Sequence, residues 1–549
     1  MGFLDDVTKL ITDIPIVEKV YDFVEEDLLI KGKVKISFKE LPIPLEFDVE
    51  VFKCYPLKNY DSDSIKFKNL NLIEYRHVMG DGAICIHTSH ETSLKSKLNY
   101  DFYSLKNWIN KYYINKQNDD HYEHIIVEEK LINNQYRSFM FTDTEFCFQK
   151  EEFGEVSITE LQNGLFKSKP ISNYIIQSFI KESGEQVDCQ WSNLYKSMDS
   201  SSKGAYLYIE IPPANYGKFI FTKWLDLQDH IPQSFLNFLL EIQKKYIKER
   251  GKLFPVFFGY KIDEVNIHWQ VALLEIGSFP IIGIPDSKGG WITVLRNDEE
   301  INWGITRNSS YKYFFGRGSF SPSFTEKKIL IIGVGALGSM VAKTLARCGC
   351  KFLDIADYDI KEPENVCRSE YQFNFGLMDK TEELKFIIAT ISPFIEIGVI
   401  EKNYFQGIIK LFHKEKGAKG NFEKGLNQYD VVFDCTTDND LMYIFDTLDL
   451  NCDLINLSIT NHARDLVGAF YPNIYNFVLN QFMNVLENDS TDLYNPTGCW
   501  NPTFKASYND ISLLVQMAIK HIHNLYETGA RKNNFIIESD FSNLKIVEY

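Results

Sequence analysis

Three glycines, a spaced set of charged side chains and two loop cysteines are the residues of this 549-residue chain best suited by type and spacing to do chemistry. Gly333, Gly335 and Gly338 stand at Gly-x-Gly-x-x-Gly spacing, directly after the apolar run LysIleLeuIleIle. Such glycines let backbone approach a phosphate at a helix N-terminus, where unpaired N–H groups and the helix dipole favour negative charge. Asp357 follows Gly338 by nineteen positions (357 minus 338), the usual place of a ribose-binding carboxylate. Asn365, Arg368 and Lys380 come next, and then Asp438 and Asn439.

The glycines and Asp357 fit a nicotinamide dehydrogenase equally well, but Lys380 and Asp438 would then have no role. Taken singly, Arg368 and Lys380 also read as surface charges and Asp438 as a helix cap. Cys499 lies in AsnProThrGlyCysTrpAsnPro, between turn-forming residues, where a thiol is exposed and its thiolate can act as nucleophile. Cys85 lies in ArgHisValMetGlyAspGlyAlaIleCysIleHis, residues 76–87. With His77, His87 and His90 it could alternatively bind zinc, and strand alternation would put Cys85 and His87 on one face, but the spacing matches no familiar zinc module. Cys348, Cys350, Cys367, Cys435 and Cys452 read as packing residues.

Positioning these groups requires a strand over 327–332, a helix from Ser339, a second strand ending near Asp359 and a later strand ending near Asp438. Upstream, residues 1–23 read as an amphipathic helix, and residues 33–56 alternate as two or three antiparallel strands. A further helix is expected around Phe102, Leu105, Trp108, Ile109 and Tyr112. Residues 166–320 contain the strand-like runs 205–211, 218–225, 255–262 and 267–276 and one helix stopped by Gly251, with loops near 197–204 and 308–326. Three units follow, over 1–165, 166–320 and 321–549.

Hydrophobic residues make up 44% and charged residues 24% of the chain, the profile of a folded globular protein. The net charge of -17 argues against a general grip on nucleic acid or anionic lipid. Ten cysteines without a Cys-x-x-Cys pair fit reduced thiols in a cytoplasm rather than a disulfide scaffold or zinc ribbon. The acidic N-terminus does not read as a signal peptide, and no uncharged apolar run is long enough to span a bilayer.

Over about residues 325–510 the pattern Gly-x-Gly-x-x-Gly, Asp-x-Asp (Asp357, Asp359), Asn-x-x-Arg (Asn365, Arg368), Lys380 and Asp438 resembles the adenylating domain of ubiquitin-activating enzymes and of their bacterial relatives ThiF and MoeB. The resemblance implies an α/β, Rossmann-like domain in which Asp357 holds the ribose and Asn365, Arg368 and Lys380 contact the triphosphate of ATP. It also implies that Asp438 holds Mg²⁺, that Cys499 forms a thioester, and that a homodimer supplies Arg317 across its interface. Residues 30–165 resemble an α+β ubiquitin-conjugating enzyme, with His77, Gly82 and Cys85 at its active stretch, Tyr55-Pro56 before it and Trp108 after. The His-Pro-Asn signature is absent: Val78 and Met79 stand in place of its Pro and Asn. Asp81, His87 and His90 remain candidates for positioning an amine. With an α+β middle domain, the whole arrangement is similar to the fused ligase of bacterial CBASS anti-phage operons. That similarity implies a partner protein ending in glycine, a cGAS-like nucleotidyltransferase, joined to a target amine. A sulfur-carrier or ubiquitin-like activator without conjugation and an ATP-sensing scaffold are the remaining alternatives.

Overall fold

A computed structural model describes the chain except for residues 1, 61–62, 80, 87–88, 118–128, 146, 162–170, 212–220, 262–265, 286–289, 297–298, 416, 461, 487–505 and 540–542. The chain forms two compact units, one of residues 1–189 and 200–308, the other of residues 190–199 and 309–549. Cys499 and His87 lie outside the described residues.

The first unit opens on a helix, Phe3–Thr12, that buries Val7 and Ile11. The helix expected to run to residue 23 stops there. Pro15 disfavours helical backbone at the residue before it, and Val17–Glu25, with three valines, is instead strand β1. β2 (Leu29–Ile36), β3 (Leu45–Phe52) and β4 (Ile65–Lys68) follow in an antiparallel sheet of order β1-β2-β3-β4. Alternation along β2 and β3 turns Ile30, Val34, Ile36, Phe47, Val49 and Val51 into the core. The helix Leu94–Trp108 closes over it with Leu98, Phe102, Leu105 and Trp108, and Phe102 meets Phe67 edge to face at 4.9 Å.

The second sheet of this unit contains β5 (Tyr136–Phe141), β6 (Phe153–Glu160), β7 (Ile171–Lys181), β8 (Gln186–Asp188), β9 (Ser202–Glu210), β10 (Leu253–Lys261) and β11 (Ile267–Glu275). β12 (Ile281–Pro285) and β13 (Trp291–Leu295) make a separate hairpin, and β14 (Ile305–Asn308) returns to the sheet edge. The order is β11-β10-β9-β6-β7-β5-β14, with β8 on β7. The boundary expected near residue 165 falls between β6 and β7, which pair antiparallel, so β5 and β6 belong with the later residues. Of the 218–225 run expected as a strand, Trp224 and Leu225 open a 3₁₀ helix, Trp224–His230, that buries Trp224 and Leu227. An aromatic core fills one face of the sheet, with Phe179 stacked on Trp269 at 4.6 Å and Phe148 edge-on to it at 5.1 Å.

In the second unit β15 (Lys328–Ile332), β16 (Phe352–Ala356), the two-residue β17 (Ile360–Lys361) and β18 (Met378–Asp379), β19 (Glu396–Val399), β20 (Val431–Asp434), β21 (Asp453–Ile459), β22 (Asp465–Phe470), β23 (Phe535–Ser539) and β24 (Leu544–Glu548) appear in chain order. The main sheet runs β19-β16-β15-β20-β21-β22-β23-β24. Its first five strands are parallel and the rest antiparallel. Helices cover both faces, with Ala336–Arg347 and Tyr508–Thr528 packed in one core and Tyr404–Leu411 and Asn439–Asp446 in the other. That is why β15 and β20 are continuous apolar runs rather than alternating ones. Residues 190–199 join this unit through Trp191, stacked on Phe394 at 5.6 Å, and through Ser192, whose N–H donates to the Pro393 carbonyl at 2.7 Å.

Candidate active site

β15 lies between β16 and β20, so the chain leaves it toward one side and returns on the other. Open parallel sheets bind ligands in the crevice at such a switch point, beyond the carboxyl ends of the strands. Here the crevice is a cleft of about 360 Å³ lined by Gly333, Gly335, Asp357, Asp359, Arg368, Lys380 and Asp438. Thr436, Thr437, Glu401, Asn403, Tyr404 and Gln406 line it as well.

The glycine loop is demanded by the backbone. Gly333 has φ +80°, and a Cβ there would press on Cys435 and Thr436 at 3.0 Å. A Cβ on Gly338 would sit 1.9 Å from the Gly333 carbonyl oxygen, so the helix Ala336–Arg347 can start this close to the turn only with glycine. Gly338→Ala is therefore expected to lower the melting temperature by several degrees, because overpacking of this kind costs about 1–3 kcal/mol. An unchanged melt in that variant would show that the turn does not need glycine at this position.

Asp357 follows the end of β16, and its two carboxylate oxygens accept from Val334 N at 2.8 Å and Asp359 N at 2.9 Å, so the acid that faces the cleft also braces the glycine turn. Lys380 opens the helix Lys380–Ile391; it is almost buried, and its ammonium is paired with Asp359. Arg368 ends the 3₁₀ turn Pro363–Arg368 and reaches the same cleft. Asn365 caps that turn, its Oδ1 accepting from Glu362 N at 2.9 Å. Asp438 both lines the cleft and caps the helix Asn439–Asp446, Oδ1 accepting from Leu441 N at 3.0 Å. Arg317 is exposed just after the helix Tyr311–Phe315. Beneath the cleft a buried ion pair joins Lys361 to Glu383 at 2.7 Å, and the Tyr371 hydroxyl donates to the Val334 carbonyl at 2.5 Å.

Of the other thiols, Cys350 and Cys452 are buried as expected and Cys348 is half-buried, while Cys367 is exposed on the Pro363–Arg368 turn rather than packed. Cys435 borders the cleft, and burial pushes its thiol well above the ordinary range.

Sequence reading overlooked Thr436, Thr437 and the buried Asp434 beneath them. The signal was present, since AspCysThrThrAspAsn follows a strand adjacent to the glycine strand, where loops at the carboxyl ends face the ligand.

The first unit contains the second candidate thiol. Cys85 is exposed at the end of a tight reversal: its N–H donates to the His77 carbonyl at 2.7 Å, Met79 N to Ala83 O at 2.7 Å, and Gly82 N to Met79 O at 2.9 Å. Gly82 has φ +80°, and a Cβ there would meet Asn69 and Leu70 backbone at 2.9 Å. The loop is held to the helix behind it by Trp108, whose Nε1 donates to the Arg76 carbonyl at 2.9 Å, and by His77, whose ring lies 4.8 Å from that of Tyr112. Tyr55 ties the approach to the same helix through Asp101 at 2.8 Å. His90 is exposed. Among the described residues no group of three or more His, Cys, Asp or Glu is placed to hold a metal, and His87 lies outside them.

The fold and the main cleft define a doubly wound α/β domain with two cations and several carboxylates at the open ends of its parallel strands. Residues 318–448 match the model of the ThiF family. The chain is 27% identical over 244 residues to the ATP-dependent ubiquitin transferase-like protein Cap2 of Enterobacter hormaechei, a match covering 43% of this chain and 39% of that protein. It is 38% identical over 74 residues to ubiquitin-like modifier-activating enzyme 5 of Caenorhabditis elegans, covering 14% of this chain and 18% of that enzyme. The chain thus spans well under two thirds of the length of these relatives. Among solved structures, E. coli MccB with ATP overlays at a TM-score of 0.30 and 15% identity, over 41% of this chain and 65% of that one. Among the described residues no helix is long and apolar enough to cross a membrane.

Proposed function

We propose that this chain uses Mg-ATP to adenylate the C-terminal glycine of a partner protein and then passes the acyl group along two thiols to an amine. The observation that carries the first step is the convergence of the glycine loop, Asp357, Arg368, Lys380 and Asp438 on one cleft. A dehydrogenase has no use for the two cations and the second carboxylate there. Asp357 is placed to accept from ribose hydroxyls while it braces the glycine turn. Arg368 and Lys380 face the oxygens that gain charge as the partner's carboxylate attacks the α-phosphorus and pyrophosphate departs. Asp438 is the carboxylate suited to Mg²⁺, which would neutralise phosphate charge. A single carboxylate fits that ion, which takes its remaining ligands from phosphates and water rather than from a protein cage.

For the later steps the reading rests on sequence resemblance together with the exposure of Cys85. The Cys499 thiolate displaces AMP from the acyl adenylate to give a thioester, Cys85 takes the acyl group by thiol exchange, and an amine displaces Cys85. By the same resemblance the partner is a cGAS-like nucleotidyltransferase of an anti-phage operon. The enzyme works in the cytoplasm as a homodimer, with Arg317 supplied across the interface and Asn365 beside the triphosphate.

The test is ATP–pyrophosphate exchange by the purified full chain with a candidate partner ending in glycine, and with the same partner lacking that glycine. Label should enter ATP only with the intact tail. Exchange that ignores the tail would sink the adenylation reading, and nicotinamide dinucleotides binding in preference to ATP would replace it with an oxidoreductase.

A further inference from the structure

Asp434 closes β20 and is completely buried, one strand away from the glycine strand. A buried carboxylate is costly unless its oxygens are supplied with donors, and this one has three. Its Oδ1 accepts from Thr436 N at 3.1 Å and from Thr436 Oγ1 at 2.6 Å, and its Oδ2 accepts from Asn456 Nδ2 at 2.8 Å. Asn456, on β21, is fixed in turn by the Ser458 hydroxyl, which donates to its Oδ1 at 2.8 Å. All of these side chains except Thr436 are buried, so the network is built into the sheet rather than into the loop.

The loop is tied to this network by the Thr436 backbone N–H and hydroxyl, and the hydroxyl carries the link onward. Thr436 Oγ1 donates to Asp434 and accepts from Asp438 N at 3.2 Å. Between them Thr437 takes φ +57°, a conformation that a β-branched residue adopts only when its surroundings impose it. Asp438 then caps the next helix through Leu441 N. The chain of bonds runs without a gap from Ser458 through Asn456, Asp434 and Thr436 to the residue that lines the cleft.

We propose that Asp434 is a positioning residue for the nucleotide site: it touches no reactant, and through the Thr436 hydroxyl it sets the place of the Asp438 carboxylate toward Mg²⁺. This rests on the nucleotide reading of the cleft. Burial and the nearby charge of Asp438 push the Asp434 carboxyl up, against the pull of its three donors, so the network is poised on good geometry rather than on excess charge. Groups that orient a metal ligand from behind it commonly change metal affinity by roughly 10- to 100-fold when removed.

Asp434→Asn is the obvious variant, but an amide could be accommodated if Asn456 turned over, since the Ser458 hydroxyl can also accept; Asp434→Ala could fail to fold. Thr436→Val keeps the shape of the side chain and removes only the hydroxyl, and Thr436→Ser restores it. The experiment is isothermal titration of the full-length protein with ATP, once with Mg²⁺ and once with EDTA, for wild type and both variants, with a thermal melt of each. The expected result is a roughly 10-fold or larger loss of Mg-ATP affinity in Thr436→Val, little change in EDTA, and recovery in Thr436→Ser. Equal losses with and without Mg²⁺, or none, would overturn the proposal, because a merely structural threonine would not discriminate the ion. Wild-type protein that binds no ATP at all would instead overturn the nucleotide reading, and the two failures are told apart by the wild-type titration alone.

Discussion

Replacing Lys380 with methionine is expected to lower ATP–pyrophosphate exchange by roughly 10²- to 10³-fold while leaving the melting temperature within a few degrees of wild type. The two halves of that expectation come from different sides of the same contact. Lys380 is almost buried where its helix begins, and its ammonium sits on the carboxylate of Asp359, which is itself about half exposed (side-chain accessibility 55%). When the ammonium is removed, water can resolvate Asp359, and an ion pair with one partner this exposed contributes about 0–1 kcal/mol to folding. Methionine keeps the unbranched stem and so preserves most of the packing. Transition-state charge behaves differently. With nucleotide filling the cleft and excluding water, a cation aimed at the departing oxygens is worth far more than on a wet surface, and among the described residues lining the cleft Arg368 is the other cationic side chain. Exchange within about threefold of wild type would show that Lys380 is a structural partner of Asp359 and that the cleft is not organised around a leaving pyrophosphate.

That experiment also marks how far the sequence could be read. The glycine turn was legible because its requirements are backbone ones: a positive φ at Gly333 and an approach at Gly338 too close for any Cβ leave their mark directly in residue type. The order of strand, turn, helix and second strand was legible for the same local reason. What was hidden depends on contacts between residues far apart in the chain. Lys380 and Asp359 are 21 positions apart, and nothing in either neighbourhood announces the pair. In sequence Asp434 lies inside a strand expected to run to about Asp438, whereas the strand ends at Asp434 itself, and only the neighbouring strand, with Asn456 and Ser458, makes it a hub. β6 escaped notice because nearly all of it is buried, which removes the alternation by which a half-covered strand is recognised. The capture of residues 190–199 by the second unit turns on Trp191 finding Phe394, a match about two hundred residues distant.

The conjugating step is the part of the reading with the sharpest single-residue consequence. In Cys85→Ala, incubated with Mg-ATP and the partner protein and run on a non-reducing gel, one thiol-sensitive adduct should still form and the transferred product should vanish. In Cys499→Ala both should vanish, while adenylation persists as pyrophosphate exchange. The geometry supports a clean outcome at Cys85. Its backbone N–H makes the bond to the His77 carbonyl, and the reversal around it is secured by Gly82, by Trp108 and by the tilted contact of the His77 ring with Tyr112. Alanine keeps that backbone bond and removes the thiol from an exposed position. The absence of Pro and Asn at positions 78 and 79 makes a second readout informative, since this loop lacks the usual amide beside the thioester. If Cys85 accepts the acyl group, its thioester should be long-lived without an amine and discharge when one is added, with Asp81, His87 and His90 the candidates in sequence to receive the amine's proton. Transfer that survives in Cys85→Ala would leave the chain an activating enzyme whose acyl group passes from Cys499 directly to its acceptor, and the sequence resemblance of residues 30–165 to a conjugating enzyme would then carry no function.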